Sequence, residues 1–153
     1  MTSLTQMLTE ELRMAKQLLT LLQQEESILL ADETEDLLSI TQTKSQLVGE
    51  LSVISQQRLS HVNHLGCTGQ ENGMQQWLDI EANTSSKNTW ELIITTATIA
   101  KELNRTNGLL VNRLAARNQN ALASLQGYGG ASTSLYGPTG KNSMTSSTRM
   151  IVG

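Results

Sequence analysis

Few side chains in this sequence are spaced for chemistry. His61, His64 and Cys67 come closest, at separations familiar from metal ligands. On a continuous helix side chains turn by about 100° per residue, so the third of these faces away from the first two. Gly66 could redirect Cys67, but a structural zinc takes four ligands and nothing else in the chain supplies a clear fourth. Two histidines in a last helical turn also have a plainer use, favourable contact with the negative end of the helix dipole. A second pattern, Gly137-Pro138-Thr139-Gly140-Lys141-Asn142-Ser143, invites a phosphate-loop reading and fails it. Leu135 stands where the first glycine belongs, and Asn142 where Ser or Thr must follow the lysine. No Ser-His-Asp, Cys-His or paired-carboxylate set has supporting context. No catalytic residue, metal site or cofactor is expected.

Composition narrows the classes further. The chain has 153 residues, a net charge of -3, and only 16% charged residues. An acidic balance argues against nucleic acid, whose phosphates demand a basic footprint. The longest apolar run, Ile28-Leu29-Leu30-Ala31, is far short of the roughly 18 residues that span a bilayer, so no membrane insertion is expected. A single cysteine excludes an intramolecular disulfide framework and agrees with a reducing compartment. Residues 1–11 carry acids where a secretory signal would carry bases. These features predict a soluble, cytoplasmic protein. The charge is uneven: residues 1–36 hold eight acids and two bases, and residues 101–153 six bases and one acid. Acidic and basic faces lying side by side in one bundle would explain this; long-range steering by the basic half is the alternative.

The elements left to position these residues are helices. Leu4, Leu8, Ala15, Leu18, Leu22 and Leu29 recur at helical spacing, flanked by Met7, Met14, Leu21 and Ile28, which predicts a helix over residues 3–31. Asp32 with Glu35 has capping-box spacing and starts a second helix over 34–65. Lys44 and Arg58 fall near its apolar stripe, and Gly66 stands at the C′ position. The acids of residues 25–36 are expected to be a solvated helix end. Residues 66–88 are expected to be a loop with a short helical insert, pinned to the bundle by Trp77. A third helix is predicted over 88–126, with Gly108 in its interior marking a hinge or a close approach. Gly127, Gly129 and Gly130 end it. Six of the eleven glycines lie in residues 127–153, a Gly/Ser/Thr-rich tail expected to be disordered alone. The predicted fold is all-α: an elongated antiparallel bundle of three long helices in residues 1–126, with a flexible C-terminal tail. Interaction chemistry is what remains, as a helical adaptor, chaperone or coiled-coil assembly protein.

The sequence resembles the FlgN family of flagellar type III export chaperones. The resemblance is carried by Trp90 and, fourteen residues on, Asn104 within Leu103-Asn104-Arg105-Thr106-Asn107-Gly108, and by Arg117-Asn118-Gln119-Asn120-Ala121-Leu122. Lys44-Ser45, Leu51, Gln56-Gln57-Arg58 and the tail's Leu135-Tyr136-Gly137 extend it. It implies a cytoplasmic chaperone that binds the C-terminal helical segments of the hook-filament junction proteins FlgK and FlgL. Delivery to the export gate component FlhA follows. On this basis the client contacts fall on Leu103, Asn104, Asn107, Gly108, Leu110, Val111, Leu114, Leu122 and Leu125. The gate contacts fall on Leu135, Tyr136 and Gly137. Two alternatives stand beside this: the same leucines as bundle core or a homodimer seam, and a structural coiled-coil adaptor with no secreted client.

Overall fold

The computed structural model describes residues 2–67, 71–81 and 83–136, with backbone alone for 71, 72 and 128–136. Four α-helices occur among them: α1 (Leu4–Ala31), α2 (Leu37–His64), α3 (Glu71–Glu81) and α4 (Thr84–Tyr136), with a 3₁₀ turn at Thr34–Asp36. There is no strand among the described residues. The chain divides into two compact units, Met1–Leu110 and Val111–Gly153.

Local chemistry sets the helix ends. Ser3 caps α1: its hydroxyl accepts from the Gln6 N–H at 3.2 Å, and the Gln6 side chain accepts from the Ser3 N–H at 2.9 Å. Asp32 does not open the next helix as its spacing with Glu35 predicts. It takes a left-handed conformation, φ 61°, and closes α1 instead. The N–H groups of Asp32 and Glu33 bond the carbonyls of Leu29 and Ile28, the paired pattern that normally ends on glycine. The short polar side chain of Asp tolerates that conformation better than most residues. Gly66 makes the same closure on α2, with φ 84° and N–H groups of Gly66 and Cys67 on the carbonyls of Asn63 and Val62. α4 begins at Thr84 rather than at 88, because Asn83 caps it: its side chain accepts from the Ser85 N–H at 2.9 Å. It then passes through Gly127, Gly129 and Gly130 to Tyr136, ten residues beyond the predicted end. Glycine costs a helix about 1 kcal/mol against Ala without forbidding it, and among the described glycines only Gly66 has positive φ. The predicted tail from 137 onward lies outside the described residues.

Packing in the first unit follows the heptad pattern. Positions 4, 8, 11, 15, 18, 22, 25 and 29 of α1 alternate spacings of four and three; all but the half-buried Leu18 are buried. One end of this seam meets α3. Leu4, Leu8, Val62, Cys67, Met74, Trp77, Leu78 and Ile93 form one core cluster, so the helical insert and its tryptophan are packed as expected. Each such side chain contributes about 1.5–3 kcal/mol when removed from water.

Candidate interaction surfaces

Two seam positions of α1 are acids. Glu25 is not part of a solvated helix end: it is 2% exposed, and Glu11 is buried with it. A lone buried carboxylate is costly, so each has a cation from α2. Arg58, 6% exposed, grips Glu11 in a fork, Nε to Oε2 at 2.7 Å and Nη2 to Oε1 at 3.1 Å. Its Nη2 also donates to Ser55 Oγ at 2.9 Å, and the guanidinium lies 4.6 Å from the centre of the Trp90 ring on α4. In the second layer Lys44 Nζ lies 2.8 Å from Glu25 Oε1 and 3.4 Å from Asn104 Oδ1. The buried Asn107 donates its Nδ2 to Glu25 Oε2 and to the Leu22 carbonyl, both at 2.9 Å. Pairing 11 with 58 and 25 with 44 makes α1 and α2 antiparallel. The two layers lie fourteen residues apart on each helix: Glu11 and Glu25, Lys44 and Arg58, Trp90 and Asn104.

The residues expected to touch a client divide between the units. In the first, Leu103 and Leu110 are half-buried, Asn104 is exposed beside Lys44, and Asn107 points inward to α1. Gly108 is neither a close approach nor a turn. A Cβ there would meet nothing within 4 Å, and the helix continues through it. In the second unit Val111, Leu122 and Leu125 are 41%, 58% and 69% exposed, and Leu114 is half-buried. At about 100° per residue these four fall within one arc of about 80°. They form an apolar stripe on one face of α4. Leu135 and Tyr136 are the last two residues of α4, and Gly137 lies outside the described residues.

The other spaced residues do not converge on a site. His64 is exposed with Nδ1 2.6 Å from the Ser60 carbonyl oxygen, while Cys67 sits in the core. The segment from Gly137 to Ser143 lies outside the described residues.

One surface was not anticipated from sequence. Within the first unit a cleft of about 820 Å³ opens between α2 and α4, floored by Ala15, Leu18 and Leu22 of α1. The lining spans residues 11–22, 44–55 and 93–104, so a polar layer closes each end. The one sequence signal for it is the shortage of large side chains at seam positions such as Ala15 and Ala100.

A family model described as FlgN protein matches residues 1–144. No match was found among the curated proteins or among the solved structures. The match takes in all four helices and both polar layers, and with it the chain belongs to the FlgN family, whose members are flagellar export chaperones.

Proposed function

We propose that this chain is a cytoplasmic export chaperone for the hook-filament junction proteins FlgK and FlgL. It holds their C-terminal helical segments and delivers them to the type III export gate through FlhA. The observation that carries the reading is the stripe of Val111, Leu114, Leu122 and Leu125, which leaves two leucines more than half exposed on a helix of a chaperone-family protein. An amphipathic client segment laid along that stripe would cover both partners' apolar faces, the helix-on-helix mode of peptide recognition. No nucleotide is needed, because a holding chaperone acts by mass action on the bound state. Leu135, Tyr136 and Gly137 serve the gate: tyrosine is a frequent binding anchor, and the position lies beyond the client stripe in sequence. No described helix is long and apolar enough to cross a membrane.

Calorimetric titration of the full chain with the C-terminal segments of FlgK and FlgL tests this. Leu122→Ser with Leu125→Ser should weaken both by about tenfold or more, the equivalent of about 1.4 kcal/mol. The melting temperature should hold, since both side chains are exposed. Tyr136→Ala should leave client binding intact and weaken docking to FlhA. Wild-type protein that binds neither segment refutes the client assignment and favours a structural coiled-coil adaptor. A wild-type dimer lost in the double-serine variant would show that the stripe joins two copies.

A further inference from the structure

We propose that the cleft in the first unit is a second client site, one that accepts an amphipathic helix of about twelve residues with an acidic flank. The inference rests on the chaperone reading above and adds to it the class of segment bound and the place that binds it.

Length is the first argument. Each of α1, α2 and α4 contributes a twelve-residue stretch to the lining, 11–22, 44–55 and 93–104. At about 1.5 Å per residue that is a trough roughly 17 Å long, a little over three helical turns. The ends are blocked by polar groups already engaged with one another: Glu11 with Arg58 at one, Lys44 with Glu25 and Asn104 at the other. Cross-section is the second. Ala15, Ser45, Ser52, Ser55, Ala97 and Ala100 are all small, so the helices around the trough cannot fill it with their own side chains. The floor of Leu18 and Leu22 offers the apolar contact that a bundle normally closes with another helix. A small molecule suits the trough poorly. Ser45, Val48, Ser52, Ala97, Lys101 and Asn104 of the lining are exposed, whereas a ligand pocket buries 70–90% of a drug-sized ligand.

Charge selects the occupant. Arg58 and Glu25 neutralise Glu11 and Lys44. Lys101, exposed at the rim, acts on the carboxyl of its neighbour Glu102 without forming a salt bridge among the described residues, and its ammonium is accessible to an acid on an incoming helix. The chain cannot supply that acid from its own C-terminal part, because residues 103–153 contain no Asp or Glu. The same fact disfavours the C-terminal part of a second copy. An acid-flanked helix of a separate protein fits, and under the chaperone reading that protein is the client.

The test uses the full-length protein, the fluorescently labelled C-terminal segment of FlgK, and two designed helices that share a leucine stripe but are flanked by Glu or by Lys. In the Leu122→Ser, Leu125→Ser background, where the stripe is disabled, Ala97→Trp fills the trough from an exposed position, so it should leave the melting temperature unchanged while weakening the remaining FlgK binding by about tenfold. Lys101→Glu should weaken it by about two- to fivefold, the scale of one exposed pair, with a smaller loss in high salt. The Glu-flanked helix should displace FlgK from the Leu122→Ser, Leu125→Ser variant, and the Lys-flanked helix should not. FlgK binding that the added Ala97→Trp leaves unchanged in the double-serine background overturns the trough while leaving the chaperone reading in place. Equal competition by both designed helices overturns the charge argument and with it the acidic class. Wild-type protein that fails to bind FlgK removes the chaperone reading and the trough together.

Discussion

Replacing Glu11 with Leu removes one half of a pair that has almost no access to water. Arg58 would keep its hydrogen bond to Ser55 Oγ and its place near the Trp90 ring, but no counter-charge. At 6% exposure its guanidinium cannot recover hydration without opening the helices. Breaking a buried pair from one side costs about 3–5 kcal/mol, against a total stability of about 5–15 kcal/mol for a domain. At this chain length that lowers the melting temperature by roughly 6–20 °C, taking about 2–4 °C per kcal/mol. Arg58→Met alone should cost about as much, since it strands Glu11 instead. The double variant should not add the two losses. With both charges gone the layer becomes apolar, and such replacements run from neutral to about 4 kcal/mol more stable. Urea denaturation of wild type, both single variants and the double, followed by circular dichroism, gives the coupling energy directly. Single variants that each cost less than about 1 kcal/mol, the range of an exposed pair, would refute the buried layer.

Other variants probe separate features. Gly108→Ala should stabilise the protein by about 1 kcal/mol, since the site is helical and open, and a rise in melting temperature checks it. Asn107→Leu should cost about 1–3 kcal/mol in the same denaturation assay, because Glu25 Oε2 loses a buried donor. The hydrogen bond from Arg105 holds the Glu102 carboxyl below its ordinary value of 4.5, with their charge attraction adding to it. A carboxyl depressed on folding stabilises above its unfolded value and loses that contribution as pH falls through the lower folded one. NMR titration should therefore place the Glu102 midpoint below that of an unfolded peptide; a midpoint at or above it would mean that the pair does not form.

Periodicity made the long helices legible, because it reports which face of each is buried. The helix ends were less so. Asp32 has the spacing of an opening cap and is a closing one, since the same side chain that accepts hydrogen bonds also tolerates positive φ. Asn83 caps α4 from within a polar run whose composition is that of a loop. Glu11 and Glu25 were legible in principle: two acids fourteen apart on one helix answer two bases fourteen apart on the next. Charge in a seam is ordinarily read as solvated, and only the contacts reveal the pairing. The trough left only a faint trace in the sequence, the small side chains at seam positions such as Ala15 and Ala100. Heptad spacing is the same whether facing helices close on one another or stand apart, and their separation is set by the sum of side chains across three elements.

The two polar layers also act as an address for folding. Leucine seams alone tolerate a shift of one heptad, because apolar positions meet apolar positions again. Here a seven-residue slip between α1 and α2 would set Glu11 opposite Leu51 or Leu65, and Glu25 opposite Leu37 or Leu51. A fourteen-residue slip restores at most one of the two pairs. Every wrong alignment therefore leaves at least one carboxylate unanswered in an apolar seam, at a cost comparable to much of the stability gained by collapsing. Sliding, the characteristic error of long helical hairpins, is thus penalised by the α1–α2 pairs themselves, and Trp90 and Asn107 add contacts from α4 to the same two layers.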